Sequence, residues 1–336
     1  MSTTRYDELK KTLLERRYFK IVCGAGNEDL EEVRRLTIIY TIAGATVIDL
    51  SANTDVVRSA HKGIETAYKL ALLLGKEIKI RPYLNVSIGL KGDPHVRKAK
   101  IIPDLCTKCG ECIIACRQEA IKDDFIVQEY RCIGCGDCEK ACIYNAIEYV
   151  HKKADFSKVL PECVEEGTET MELHAVTVDD KIVLSDWKLL NEMIPDNFLS
   201  MCLDRSLLSN KHLIERVKLA YEITGERFIV QADGVPMSGE GDDYNTTLQA
   251  VACADIVQKS GIPVMILLSG GTNSKTGLLA EQCGVRVHGV AIGSWARRIV
   301  KEFIRRDDFD TNPDVVKGAV LVAEKLIKSN IEAISG

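Results

Sequence analysis

Eight cysteines lie between residues 106 and 142, and they repeat one spacing twice. The repeats are Cys106-x2-Cys109-x2-Cys112-x3-Cys116 and, after fifteen further residues, Cys132-x2-Cys135-x2-Cys138-x3-Cys142. Bacterial ferredoxins with two [4Fe–4S] clusters have this spacing, because thiolates on short loops match the corners of a cubane cluster. The pattern therefore predicts a ferredoxin-like module that binds two [4Fe–4S] clusters.

The two repeats are expected to exchange their fourth ligand, as they do in two-cluster ferredoxins. The predicted ligand sets are Cys106, Cys109, Cys112 and Cys142 for one cluster, and Cys132, Cys135, Cys138 and Cys116 for the other. Arg117 and Ile143 replace the proline that usually follows the fourth cysteine, which affects packing and hydrogen bonding more than ligation. Two alternatives stay open: structural zinc, which also accepts Cys-x2-Cys, and clusters that only hold a small domain together.

The rest of the chain alternates short runs rich in β-branched residues with helical patterns. Before the cysteines the predicted strands are FKIVCGAG, TVIDLSAN and RPYLNVSIG, and after them MELHAVT, NFLSMCLDRS, RFIVQADG, PVMILLSGG and VRVHGVAIG. Asn27 and Thr54 are predicted to begin the first two intervening helices, and Gly44 and Gly75 to end them. Eight strand–helix units predict a (β/α)8 TIM-barrel-like domain, with an open doubly wound sheet as the alternative.

The cysteine module is expected to be an insertion in the third strand-to-strand connection. The predicted domains are residues 1–90 (strands one to three), 91–155 (the inserted module) and 156–336 (strands four to eight). Without residues 91–155 the chain has 271 residues, close to the roughly 250 typical of this barrel.

Polar side chains are predicted to meet where the strands of the barrel end. The C-terminal ends of all eight strands share one face, and that face carries the chemistry of such barrels. The candidates there are Cys23, Asp49, Asn85, His174, Asp204, Asp233 and the loop 269–273. His174 is a candidate acid, base or ligand, although a single strand histidine is more often a satisfied core residue. Cys23 is a candidate reactive thiol or a small buried apolar residue.

Glycine-rich turns follow the last two strands, in LSGGTN and AIGSWARR. Barrels often bind a phosphate there through backbone N–H groups and the start of the following helix. The residues predicted to bind a phosphate-bearing ligand such as FMN are Gly270, Gly271, Thr272, Gly293 and Ser294. The alternative is that these glycines only permit tight turns.

Two other loops are candidate binding elements. Residues 233–247 form a long acidic loop that could close over a ligand, although Asp242 and Asp243 could equally be solvated loop charges. The turn at residues 24–26 resembles a dinucleotide fingerprint, but Asp29 stands in the place of its third glycine, so NAD is not expected.

The charge and hydropathy of the chain limit the classes of partner that it is expected to bind. The formal net charge is −5 and no block of Lys and Arg occurs, so nucleic acid is not an expected partner. No apolar run reaches the roughly 18 residues of a membrane span, and from the polar N-terminus a signal peptide is not expected. The five cysteines outside the repeats are scattered singly, which favours a reducing, cytoplasmic location.

Three C-terminal segments, QADGVPMSGEG, LSGGTN and GVAIGSWARR, follow the cysteine repeats. In this order the chain resembles the LdpA (light-dependent period) family of cyanobacterial iron–sulfur proteins, from about Tyr18 to Arg298. The resemblance implies a redox-active protein that reports the cellular redox state to other proteins, in cyanobacteria to the circadian clock. The clock role is not carried over to this chain.

Two functions are compatible with these features. The first is electron transfer or redox sensing toward a redox partner protein. The second is an iron–sulfur oxidoreductase that passes electrons between the clusters and a flavin or other phosphate-bearing ligand at the barrel mouth. No catalytic residue is assigned. A third reading, a purely structural role for the clusters, is the least favoured.

Overall fold

The computed structural model describes residues 4–24, 26–90, 93, 96–151, 156–203, 205–234 and 241–336. Its strands are β1 (Tyr18–Val22), β2 (Val47–Ser51), β3 (Tyr83–Gly89), β4 (Arg97–Ile101), β5 (Ile147–His151), β6 (Thr170–His174), β7 (Leu199–Leu203), β8 (Phe228–Asp233), β9 (Met265–Ser269) and β10 (Gly289–Ile292). Eight of them coincide with the eight predicted strands, and β4 and β5 belong to the cysteine module.

The eight strands outside the module form a closed parallel barrel in the order β1-β10-β9-β8-β7-β6-β3-β2. Closure is made by β1, where Lys20 is in register with Val47 of β2 on one side and with Ala291 of β10 on the other. The (β/α)8 prediction is confirmed, and the open doubly wound sheet is wrong. Almost every residue of these strands is buried, as expected where helices cover the outside of a parallel sheet.

Helices connect and flank the strands. They are α1 (Arg5–Leu14), α2 (Leu30–Ala43), α3 (Thr54–Leu73), α4 (Glu111–Ala115), α5 (Asp137–Ala141), α6 (Phe156–Glu165), α7 (Asp180–Met193), α8 (Asn210–Thr224), α9 (Tyr244–Lys259), α10 (Thr276–Gln282), α11 (Ser294–Ile304) and α12 (Pro313–Ser335). Two helices, α11 and α12, follow the last strand, where the sequence predicted one.

Helix α1 covers the end of the barrel at which the strands begin. Its Leu9 and Leu13 are fully buried and pack with Tyr18, Tyr83 and Phe198, which lie at or next to strand starts. The helix begins with a capping box between Thr4 and Asp7. With this end filled, the opposite end is the open one.

The helix starts differ from the predicted ones by one or two residues. The side chain of Asp29, not Asn27, caps α2 by accepting from the N–H of Glu32, and Asn53, one residue before Thr54, caps α3. Gly44 ends α2 in the left-handed conformation at φ 93°, as predicted. Asn27 and Asp29 are both residue types that cap helices well. The periodicity of the apolar residues does not show which of two nearby polar residues is the cap.

The cysteine module lies in the chain between β3 and β6. Its β4 and β5 pair antiparallel, with Arg97 opposite His151, and the two cysteine repeats lie between them. Each repeat forms one short helix, α4 or α5, preceded by a glycine in the left-handed conformation, Gly110 at φ 87° and Gly136 at φ 92°. The predicted domain boundaries fall next to residues 91–92 and 152–155, which lie outside the described residues, and stay a prediction.

Candidate functional site

The first of two cysteine groups combines both repeats. Cys106, Cys109 and Cys112 surround a small cavity together with Cys142, which comes from the second repeat. Phe125, Tyr144 and Ile147 also line this cavity. Cys109 is exposed, so this group lies at the surface of the protein.

The second group is also mixed, and it is more buried. Cys132 and Cys116 both act electrostatically on Cys138, so Cys116 of the first repeat lies near the second repeat. The pKa of the Cys138 thiol is raised to about 11, mainly by burial and in part by these two neighbouring thiols, while the hydrogen bond with Tyr149 lowers it. The backbone thus brings the fourth cysteine of each repeat to the other repeat.

Backbone amides are directed at the sulfur atoms. Ala99 N–H lies 3.3 Å from the Sγ of Cys132, Ala120 N–H 3.3 Å from that of Cys116, and Ala146 N–H 3.4 Å from that of Cys142. Hydrogen bonds to sulfur are among the features that set the potential of iron–sulfur clusters. Cys135 also interacts with Cys138, so each group contains four thiols, and with amide donors beside them they fit two [4Fe–4S] clusters.

The second cysteine group faces the open end of the barrel. The ammonium of Lys98, on β4, donates to the carbonyl of Gly26 at 2.6 Å and to that of Cys132 at 2.8 Å. Glu28 N–H donates to the Tyr130 carbonyl at 2.8 Å. These bonds fix the loop before and around Cys132 to the turn after β1.

A second set of contacts joins the module to α11. Lys301 donates to the carbonyl of Arg117 at 3.1 Å, and both Lys301 and Arg305 form ion pairs with Glu119. Arg131 pairs with Asp29, the N-cap of the adjacent helix α2, at 2.9 Å. The module is therefore held to the barrel at several points on the side of β1 and β10.

A cavity of about 80 Å³ opens at the C-terminal ends of the strands. Its lining includes all five residues predicted for a phosphate-bearing ligand: Gly270, Gly271, Thr272, Gly293 and Ser294. Ile133, which lies between two cysteines of the second repeat, and Arg297 of α11 line the same cavity. A residue of the second cysteine repeat thus lines the cavity at the barrel mouth.

Gly270 and Gly271 are also required by the backbone conformation of the turn after β9. Gly270 and Gly271 have φ values of 63° and 72°, which disfavour any residue with a Cβ. A Cβ on Gly270 would lie 1.6 Å from Oδ1 of Asp233. The hydroxyl of Thr272 donates to the Ala291 carbonyl at 2.6 Å. These residues have structural roles whether or not a ligand binds.

A buried charge network occupies the barrel interior below the cavity. Lys20 is fully buried; its ammonium contacts the carboxylate of Glu172 closely and lies 3.8 Å from that of Asp49. Asn85 donates to Asp49 at 2.6 Å. Burial alone lowers the pKa of Lys20, but the two carboxylates outweigh it and raise that pKa above its usual range.

His174 lies above this network, between two carboxylates. Its Nδ1 is 3.0 Å from Oδ2 of Asp93, and its Nε2 is 2.9 Å from Oε1 of Glu172. Burial lowers the pKa of His174, and the two carboxylates more than compensate, so the pKa is raised well above its usual value. Burial raises the pKa of Glu172, but Lys20 and His174 lower it to about 2.

The remaining residues predicted for the barrel mouth do not all lie at the cavity. Asp233 and Ser269 line the cavity with His174, whereas Asp49 and Asn85 lie deeper in the barrel. Cys23 is fully buried, and burial raises the pKa of its thiol, which suits an inert apolar role. Asp204 lies outside the described residues.

Residues 235–240 of the predicted lid lie outside the described residues. Asp243 caps α9 by accepting from Thr246 N–H at 2.9 Å, and Asp242 accepts from the Ser274 hydroxyl at 2.6 Å. Asn273 donates to the Asp243 carbonyl at 2.7 Å. Both acidic residues therefore make specific hydrogen bonds to neighbouring elements.

Sequence reasoning missed several residues around the cavity. They are Lys20, Asp93, Glu172, Cys202 and Arg297. For Lys20 and Glu172 a signal was available in the sequence, because each is a charged residue within an otherwise largely apolar strand. Nothing local marks Asp93, because its contact with His174 spans 81 positions of sequence.

Comparison with known proteins identifies the family. The protein named Light dependent period A from Synechococcus elongatus is 32% identical, and the match covers 95% of this chain and 92% of that protein. The chain belongs to the light dependent period A family. The Light dependent period A C-terminal domain matches residues 163–329, and 4Fe-4S binding domains match residues 99–122 and 125–147. The predicted family and the two iron–sulfur motifs are confirmed.

Solved structures resemble this family member only distantly. A tryptophan synthase from Mycobacterium tuberculosis has a TM-score of 0.48 at 10% identity and covers 100% of both chains. The YdjI aldolase from Escherichia coli K12 has a TM-score of 0.46 at 8% identity, covering 97% of this chain and 92% of its own. Among the described helices, none combines the length and apolar character that crossing a membrane requires.

Proposed function

We propose that this chain binds two [4Fe–4S] clusters and uses them for electron transfer or redox sensing toward a protein partner. One cluster is bound by Cys106, Cys109, Cys112 and Cys142, the other by Cys132, Cys135, Cys138 and Cys116. The observation that carries the proposal is the pairing of each repeat with the fourth cysteine of the other. A cytoplasmic location, where thiols stay reduced, accords with it.

The two clusters have different surroundings. The first group includes the exposed Cys109 and is accessible to another protein. The second group is covered by the barrel through Lys98 and Ile133. Because exposure and hydrogen bonding affect cluster potentials, we expect two distinct potentials. The exposed cluster exchanges electrons with the partner, and the covered one responds to the state of the barrel.

The test is redox titration of the anaerobically purified full-length chain. Iron and acid-labile sulfide should be present at four of each per cluster, and EPR should show two signals that dithionite produces and air-free oxidation removes. Stoichiometric zinc in place of iron would contradict the proposal. Clusters that cannot be reduced reversibly would leave only a structural role for them.

The cavity at the barrel mouth supports a second candidate, an oxidoreductase whose clusters exchange electrons with a phosphate-bearing ligand. Arg297 lines this cavity beside the glycine turns, and α11 begins there at Ser294. A cavity of about 80 Å³ is smaller than the roughly 300–1,000 Å³ of typical cofactor sites. It therefore suits a small phosphate better than FMN.

Two measurements separate the candidates. Flavin fluorescence in the supernatant after acid precipitation of the purified protein would support a flavin enzyme. Inorganic phosphate binding, measured by calorimetry, should be weakened by Arg297→Met and not by the neighbouring Arg298→Met if the cavity binds phosphate. Absence of both signals leaves the redox protein without a barrel ligand of this class.

A further inference from the structure

We propose that Glu172, His174 and Cys202 form a binding site for a single divalent transition-metal ion of the zinc type, at the floor of the barrel cavity. One donor atom from each residue lies within 4.8 Å of the others, and all three residues are buried. The site is separate from the eight cysteines of the module, and it is independent of the proposed redox function.

The barrel geometry brings the three donors together. Glu172 and His174 are two residues apart on β6, so their side chains leave the strand on the same side. Cys202 of β7 is in parallel register with His174, which places these two side chains next to each other on the same face. All three line the cavity. The convergence is therefore a property of the strand register and not of a mobile loop.

Hydrogen bonds orient the imidazole and the carboxylate as metal ligands. Asp93 holds Nδ1 of His174 at 3.0 Å, which directs Nε2 toward Oε1 of Glu172 at 2.9 Å. Carboxylate–histidine pairs of this kind fix the tautomer and orientation of metal-binding histidines. The other oxygen of Glu172 contacts Lys20 and accepts from the Ser200 hydroxyl at 3.1 Å, so Oε1 faces the proposed ion.

The thiol of Cys202 is the third donor, and it determines which class of metal ion the site prefers. The Sγ of Cys202 lies 3.0 Å from Oδ2 of Asp233, which holds the thiol beside the site. On metal binding the thiol proton of Cys202 and the Nε2 proton of His174 leave to solvent, and the thiolate and the neutral imidazole coordinate the ion. A donor set of thiolate, imidazole and carboxylate suits zinc and similar ions, whereas magnesium and calcium prefer oxygen ligands alone.

The proposed ion has one side open to the cavity. Ser269, Gly270 and Gly271 line the space beside the three donors, and these residues leave room next to the ion. Zinc sites with three protein ligands and an open fourth position bind water or an oxygen-bearing ligand there. The site would therefore present a Lewis acid to whatever small molecule enters the barrel mouth.

The test uses the full-length protein with both clusters intact, so that zinc cannot occupy the cluster cysteines. After incubation with zinc sulfate and removal of excess metal by gel filtration, we expect one zinc per chain by elemental analysis. The zinc K-edge EXAFS should show one sulfur at about 2.3 Å and nitrogen or oxygen neighbours at about 2.0–2.1 Å. A shell of four sulfurs, or no retained zinc, would overturn the proposal.

Variants link the ion to these residues. His174→Ala and Cys202→Ser should each reduce the retained zinc at least tenfold, with iron and sulfide content unchanged. Cys163→Ser is the matched control, because Cys163 is a buried free thiol on α6 that is not part of the cavity lining. Retention of one zinc by both site variants would contradict the proposal. If the variants lose their clusters, the EXAFS shell of the unaltered protein decides the question alone.

Discussion

The buried ammonium of Lys98 donates a hydrogen bond to the carbonyl oxygen of Cys132 at 2.8 Å. The same ammonium donates to the carbonyl of Gly26, so one side chain connects the second cysteine group to the turn after β1. The two strands of the module pair with each other and form a sheet separate from the barrel. The contacts of Lys98 explain why the module nevertheless has a defined position above the barrel mouth.

Lys98→Met should weaken that connection. The substitution keeps an unbranched apolar side chain, one atom shorter than that of lysine, and leaves two carbonyls without their charged donor, at a cost of about 1.5–3 kcal/mol. Hydrogen–deuterium exchange should increase in residues 26–29 and 130–134, and the potential of the second cluster should shift while that of the first stays constant.

Lys100→Met is the control for this prediction. Lys100 lies on the same strand, but its side chain is 62% exposed and pairs with Glu148 across the sheet at 3.3 Å. Equal changes in both variants would show that the effect comes from β4 in general and not from the contact with Cys132.

Cys142→Ser should damage the cluster bound by Cys106, Cys109 and Cys112. Cys116→Ser should damage the other one, because each fourth cysteine lies at the group of the opposite repeat. EPR and iron analysis of the two variants should show complementary losses. If each variant instead lost the cluster of its own repeat, the ligand assignment would be wrong.

Lys20→Met should destabilise the barrel strongly. The change leaves Glu172 and Asp49 as buried carboxylates without their ammonium partner, which costs about 3–5 kcal/mol in comparable buried pairs. Urea unfolding followed by circular dichroism measures the loss. The double variant Lys20→Met/Glu172→Gln should lose less than the single one, since one of the two carboxylates is removed.

The exposed pair between Lys10 and Glu226 provides the comparison for the buried one. Lys10→Met should leave the unfolding midpoint unchanged, because exposed ion pairs contribute little. The double variant Lys20→Met/Glu172→Gln provides the second comparison. If it were less stable than the Lys20→Met variant, the loss of stability would not arise from the unpaired carboxylate of Glu172.

Gly289→Ala should destabilise the closure of the barrel between β1 and β10. A Cβ at this position would lie 2.3 Å from the carbonyl oxygen of Tyr18, so the two backbones must move apart. We expect a loss of about 1–3 kcal/mol, the usual cost of overpacking. Gly293→Ala, where the nearest contact is 3.4 Å, should change the melting temperature much less. Similar melting temperatures for both variants would refute this explanation.

The sequence predicted the eight barrel strands and their parallel order, because buried parallel strands are short, apolar and separated by helical periodicity. It was less accurate inside the module. The run FIVQEYRC has the β-branched and aromatic composition of a strand, but within residues 125–132 the structure has only the bridge between Ile121 and Val127. Cluster-binding loops are short and are shaped by their glycines and ligands more than by strand pairing.

The candidate site was predicted in part. The five residues expected to line a ligand site at the barrel mouth do line one cavity, because strand ends and the turns after them are local features. Ligand binding there stays a prediction. Glu172 and Cys202 were missed, since each looks like an ordinary strand residue until the neighbouring strand is known.

The sequence by itself determined the cysteine repeats, the number of strands and the glycine turns, because spacing and periodicity are properties of consecutive residues. Only the tertiary structure decided that His174 lies between Asp93 and Glu172 and beside Cys202, and that Lys98 connects the module to the barrel. These contacts depend on closure of the barrel, which brings together side chains that are distant in the chain, and burial then makes each polar contact between them strong.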